Sequence, residues 1–142
     1  MTGKFLTFYL CERLFGIDIT LVKEINRNVE YTPVPDTDPH IVGLFNMRGQ
    51  VVTLLDIAIL MGYEKKEWGG KATCIILKAR QNDPSQAGFL IDRCGDVLDV
   101  EEEEHELPPA NTVGISGEFL QSVVKLEKEL LIIIDPDKTF RL

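Results

Sequence analysis

The chain has 142 residues, with 23 Asp and Glu against 15 Lys and Arg and a net charge of −8. That length makes one ordinary domain or two small modules sharing a core, and 44% hydrophobic with 27% charged residues excludes intrinsic disorder. The acid excess without a Lys/Arg stripe excludes nucleic acid as a partner, and no apolar run approaches the ~20 residues that span a bilayer.

Taken in order, the pattern is mostly β. Residues 5–10 are aromatic-rich and predict a strand, and the polar turn Cys11-Glu12-Arg13 joins it to a hairpin partner over 14–19. Thr20 could cap one helical turn over 20–25, or a further strand could begin there. Residues 26–31 read as extended, and Thr32-Pro33-Val34-Pro35 continues without helix. Pro39-His40-Ile41-Val42 predicts a turn of helix. Next come two apolar runs, 43–47 and 50–55, joined by an Arg48-Gly49 corner; Arg48 is the sole Lys or Arg between Arg27 and Lys65. Asp56 predicts the cap of a short helix over 57–61, stopped by Gly62. A polar loop, 64–71, contains the densest basic pair, Lys65-Lys66, flanked by Glu64 and Glu67. Strands follow at 73–78 and 87–92 around a turn at 81–85. Residues 96–100 mirror 22–25, residues 101–109 form an acidic, Pro-containing loop, and a last hairpin pairs 119–124 with 130–135.

The two halves share an order: strand, turn, a strand with Gly before Asp, a connector, then a hairpin ending in apolar-apolar-Asp. Gly16, Asp18 and Asp56 parallel Gly88, Asp92 and Asp135. Short strands with frequent turn signals predict small barrels rather than a βαβ sheet. Barrels of ~60–70 residues are marginal alone, so a shared hydrophobic interface is expected.

No catalytic pattern emerges. His40 lies in a Pro-rich loop and His105 in a run of glutamates, which reads as a solvated acidic loop because consecutive loop residues do not converge on one ion. Asp18, Asp56, Asp92 and Asp135 are the candidates for a carboxylate pair; each ends or interrupts an apolar strand, where Asp caps a helix or serves a turn. Trp68-Gly69-Gly70-Lys71 lacks the spacing of a phosphate loop, and no Ser or Cys has a positioned His. Cys11, Cys74 and Cys94 read as small buried hydrophobes in a reducing cytosol, and no signal-peptide core precedes them. No enzyme, cofactor or metal is expected. Interaction remains. Glu24 and Arg48 carry opposite charges at neighbouring segments, and a surface bridge between them contributes only ~0–1 kcal/mol, so from the residues alone the pair reads either as a geometry that serves a partner or as an incidental surface charge.

The motifs Phe15-Gly16-Ile17-Asp18-Ile19, Val22-x-Glu24-Ile25, Thr32-Pro33-Val34-Pro35, Ile41-x-Gly43 and Asn46-x-Arg48-Gly49-Gln50-Val51 resemble the CheW family in order and spacing. Gly88-x-Leu90-Ile91-Asp92 with Val97-Leu98, and Leu131-Ile132-Ile133-Ile134-Asp135, extend the resemblance from Phe5 to Asp135. It implies an all-β fold with few short helices: two intertwined five-stranded SH3-like barrels sharing a hydrophobic interface. The chain 1–142 is then a single CheW-like domain, with approximate halves 1–65 and 72–142 and room for strand exchange. It is expected to be a stand-alone CheW rather than a fragment of the CheA kinase or a receiver-fused CheV.

The resemblance implies a non-catalytic adaptor without cofactor or metal, cytoplasmic and recruited to membrane-associated receptor arrays without inserting into the membrane. Its implied partners are the CheW-like regulatory domain of the histidine kinase CheA and the cytoplasmic hairpin tip of chemoreceptors. The implied partner-binding residues are Val22, Glu24, Gly43, Asn46, Met47 and Arg48, with Glu24 and Arg48 as a surface pair beside an apolar groove between the barrels. The alternatives are an adaptor of a gliding or pilus chemosensory system and, more remotely, a carboxylate-based enzyme or ligand-binding barrel. Two positions depart from the family: Thr53 stands where Pro is usual, and Ser122 where Gly is usual. Residues 136–142 leave room for a brief terminal helix.

Overall fold

The computed structural model describes residues 3–35, 38–64, 67–69, 71–79, 86–108, 111–112 and 115–140. The expected turn at 81–85 and the Lys65-Lys66 pair lie outside them. Among the described residues thirteen strands run β1 (Gly3–Leu10), β2 (Arg13–Asp18), β3 (Val22–Glu30), β4 (Thr32–Pro33), β5 (Ile41–Met47), β6 (Gln50–Leu55), β7 (Lys71–Leu77), β8 (Gln86–Ile91), β9 (Arg93–Val100), β10 (Asn111–Thr112), β11 (Ile115–Ser116), β12 (Leu120–Lys125) and β13 (Leu130–Ile134). The short helices α1 (Ile57–Leu60) and α2 (Pro136–Thr139) follow β6 and β13.

Asp56 and Asp135 are the N-caps of these helices, as expected of an Asp closing an apolar strand. Two local expectations change. The turn after β2 is a 3₁₀ helix, Ile19–Leu21, capped by Asp18 rather than Thr20, and β3 starts directly after it. Pro39 and His40 form a turn but no helix, because β5 already starts at Ile41.

The strands form two large sheets, ordered β12-β13-β2-β1-β9 and β3-β7-β8-β6-β5-β4, beside a two-stranded ribbon of β10 and β11. The second sheet exceeds five strands only by the two-residue β4 at its edge. Both sheets draw on both halves of the chain. β1 and β2 join β9, β12 and β13, while β7 and β8 join β3, β5 and β6. Most pairs are antiparallel. One parallel pair in each sheet, β13 with β2 and β6 with β8, joins a strand of one half to a strand of the other. The repeated order read in the two halves thus corresponds to a swap in which each half places two strands in one sheet and three in the other. This is the intertwined double barrel of SH3-like type.

Three cores result. Phe5, Leu14, Val124, Leu131 and Ile133 fill the first sheet's curl, and Val29, Met47, Val52, Leu54 and Ile76 fill the second's. The largest core lies between them. Leu6, Phe8 and Phe15 of the first sheet meet Leu55, Ile75 and Phe89 of the second there. Phe8 packs on Phe15 at 5.8 Å and on Phe89 at 5.2 Å, and Phe89 on Phe140 just beyond α2 at 5.2 Å, an aromatic chain across the interface. Among the described residues no helix is long and apolar enough to cross a membrane.

Candidate functional site

Arg48 and Gly49 are the two-residue corner of the β5–β6 hairpin, closed by the Met47–Gln50 pair. Their φ values, +49° and +84°, are the left-handed backbone that a type I′ hairpin needs. Glycine takes it freely; a residue with a β-carbon is disfavoured there by roughly 1 kcal/mol. The side chain of Asn46 holds the corner by accepting from the Gly49 amide at 3.1 Å. The arginine is thereby fixed outward, its side chain 68% exposed, with Nη2 2.5 Å from Glu24 Oε1.

Glu24 lies on β3, at the opposite end of the sheet order from β5, so this contact exists only because the sheet curls back on itself. A second contact reinforces it: Asn26 Nδ2 donates to Met47 Sδ at 3.6 Å. A register shift between Val22 and Glu24 divides the faces of β3. Glu24 and Asn26 face Arg48 and Met47, whereas Val22 packs on the inter-sheet core and Ile25 stands opposite Ile75 of that core. The ion pair and the inter-sheet core therefore lie on the two faces of one edge strand.

The expected docking residues thus divide. Asn46 and Arg48 are exposed, Val22 and Glu24 half-buried, and Gly43 and Met47 buried. Gly43 has a packing reason of its own: a β-carbon there would lie 2.4 Å from the Thr32 carbonyl oxygen, so only glycine lets β4 pair with β5.

Sequence reasoning missed two exposed apolar side chains at the margin of this core. Ile25 on β3 is 36% exposed and Val97 on β9 is 49% exposed. Val97 stands opposite Leu6, which belongs to the inter-sheet core, so both exposed side chains rise from its margin. Arg27 of β3 lines one cavity with Arg93, Cys94 and Asp96 of β9, which puts the edge strands of the two sheets side by side. Apolar residues in the otherwise polar strand β3 were the available signal, but their face depends on the register shift.

The four aspartates each accept hydrogen bonds at separate places in the fold. Asp18 Oδ1 accepts from Thr20 N and Oγ1 at 2.9 and 2.8 Å. Asp56, buried, accepts from Ala58 N at 3.1 Å and from Trp68 Nε1 at 3.0 Å. Asp92 accepts from Cys11 N at 3.0 Å, and Asp135 from Asp137 N at 3.0 Å and Lys138 N at 3.3 Å. No cluster of three metal-ligating side chains occurs among the described residues.

His105 corrects the reading of a solvated acidic loop. Glu101 to Glu104 are exposed, but His105 is half-buried, its Nδ1 2.7 Å from Ser122 Oγ and its ring edge-on to Phe5 at 5.6 Å. Glu106 then bridges Val123 through two backbone hydrogen bonds of 2.9 Å. Ser122 is thus the group that holds this histidine.

The sequence profile described as a CheW-like domain matches residues 4–142. The chain is 30% identical to the chemotaxis protein CheW of Treponema pallidum, covering 96% of this chain and 81% of that protein, and 30% identical to that of Bacillus subtilis, covering 93% and 83%. Its fold superposes on the crystal structure of the scaffolding protein TtCheW from Thermoanaerobacter tengcongensis with a TM-score of 0.80 at 30% identity, covering 95% of this chain and 90% of that one.

Proposed function

The chain belongs to the CheW-like family, whose members are non-catalytic chemotaxis scaffolds, and from that premise we propose that it couples chemoreceptors to the histidine kinase CheA. In this reading the protein works in the cytoplasm and is recruited to receptor arrays. One surface takes the tip of a receptor's helical hairpin, and another takes the CheW-like regulatory domain of the kinase.

The observation that carries the receptor side is the pairing of exposed Arg48 with Glu24 on β3, the strand whose other face carries Val22 and Ile25 towards the inter-sheet core. An exposed ion pair contributes ~0–1 kcal/mol to folding, and Arg48 holds an unfavourable backbone conformation besides, so stability does not account for the arrangement. A docking role does. Val22 and Ile25 offer apolar contact to one side of β3, while the guanidinium on the other side, steadied by Glu24, sets orientation through its fixed fork of donors. Gly43 and Met47 support the surface from beneath, Gly43 by admitting β4 and Met47 by filling the barrel core.

The test is titration of a receptor cytoplasmic fragment and, separately, a CheA regulatory domain into the full chain. Both should bind. Arg48→Glu should weaken the receptor fragment by about tenfold and leave the kinase domain unaffected, since reversing a charge at the rim acts on the partner that faces it. Binding to neither protein would remove the adaptor reading.

A further inference from the structure

The corner that presents Arg48 is held from both flanks by side-chain amides, and one of these is buried where folding stability does not call for it. Gln86 opens β8, and its Nε2 donates to Oε1 of Gln50, the residue that closes the corner with Met47. We propose that Gln86 is a positioning residue for Arg48, bracing the corner in the orientation that the receptor's helical tip meets. This rests on the coupling reading above.

Gln86 stands where an apolar side chain belongs. It is 9% exposed and pairs in parallel register with Val52, which is fully buried in the second core. On the same face of β8, two and four residues on, come Gly88 and Leu90. A β-carbon added at Gly88 would meet Ile76 and Leu54 of that core, and Leu90 is a member of it. The amide of Gln86 therefore carries an acceptor into the interior, and its Oε1 has no hydrogen-bond partner among the described residues. A buried acceptor left unmet costs at least as much as one neutral hydrogen bond contributes, so an apolar side chain of similar volume would favour folding.

The bond has its use at the corner. The β5–β6 hairpin projects Arg48 and Gly49 past its last pair, Met47 with Gln50, so the guanidinium is only as well placed as that pair. Asn26 of β3 reaches Met47 from one flank at 3.6 Å, and Gln86 of β8 reaches Gln50 from the other. Asn46 Oδ1 closes the turn itself by accepting from the Gly49 amide. Three carboxamides, all neutral, thus hold a corner of positive φ without competing for the guanidinium. Gln86 is the one that comes from the other half of the chain, through the parallel pairing of β6 with β8. A docking group ordered beforehand loses less freedom on binding, which is how a brace set back from the interface raises affinity.

The experiment measures receptor-fragment binding, melting temperature and hydrogen exchange at the Gly49 amide for the full-length wild type, Gln86→Met, Gln50→Ala and the double variant. Gln86→Met should melt at or above the wild-type temperature and exchange Gly49 faster. It should also bind the fragment about fivefold more weakly, the worth of one neutral hydrogen bond. Gln50 is exposed, so Gln50→Ala leaves the core intact; it should show the same losses, and the double variant should add nothing further. Arg48→Ala should cost less affinity on Gln86→Met than on wild type, a coupling that a purely structural glutamine would not produce. Wild-type affinity and wild-type Gly49 exchange in both single variants, in a protein whose receptor binding still responds to Arg48→Glu, would overturn the brace and leave the coupling reading intact. Failure of the wild type to bind the fragment would remove both.

Discussion

Arg48 carries two opposed properties, a docking group's charge and a backbone conformation that favours glycine. Arg48→Gly should therefore leave the melting temperature unchanged or slightly raised, because relief of the positive φ offsets the loss of a weak surface bridge. Receptor binding should fall all the same. A variant that melts well below wild type in a thermal scan would make the arginine structural. Pairing can be tested separately: Glu24→Arg combined with Arg48→Glu should restore part of the binding lost by Arg48→Glu alone, and no rescue would mean the two side chains act independently. Cys74 gives a contrasting expectation. Burial pushes its thiol up to about 12, so it should resist alkylation at neutral pH in the folded protein, and stoichiometric labelling without unfolding would contradict its position in the second core. The sign is that of a raised group. Its contribution to stability is complete below the ordinary thiol range and is lost as pH climbs through the folded value.

At the level of elements, the two Asp-capped helices occupy matching places in the repeat but differ in burial. Asp56 is 1% exposed and holds both the Ala58 amide and the Trp68 indole, whereas Asp135 is half-buried and holds backbone amides alone. Asp56→Ala should cost about 2–4 kcal/mol in chemical denaturation, since it removes a cap and strands a part-buried indole donor, and Asp135→Ala about 1 kcal/mol. Equal costs would show that the caps are interchangeable. Gly43→Val should cost about 1–3 kcal/mol as β4 is pushed from β5, with lost amide protection around Thr32 as its mark in hydrogen exchange. Much of this scale was readable beforehand. Alternating apolar residues gave the strands, Arg48-Gly49 the hairpin corner, and Asp56 before 57–61 the capped helix. What escaped was non-local. The face on which Ile25 falls follows from a one-residue register shift, and the side-by-side placement of β3 and β9 follows from the swap. His105 was misjudged for the same reason, because Ser122 lies 17 residues away.

Across the whole molecule, the swap makes the two sheets one unit of stability. Neither half of the chain supplies all the strands of a sheet, and the largest core belongs to the boundary between the sheets. Phe8→Ala should destabilise by about 3–5 kcal/mol, and it should shift the unfolding followed by Trp68 fluorescence together with the loss of overall β structure. Separate transitions would mean that the barrels unfold independently. Such a rigid double unit suits an adaptor, since surfaces on two sheets that share a core keep their relative orientation when partners bind. Coupling demands that both partners be held at once. The most direct measurement is sedimentation of the full chain mixed with a receptor cytoplasmic fragment and a CheA regulatory domain. The account predicts a single species containing all three proteins, with the receptor fragment selectively released by Arg48→Glu; two mutually exclusive binary complexes would contradict it.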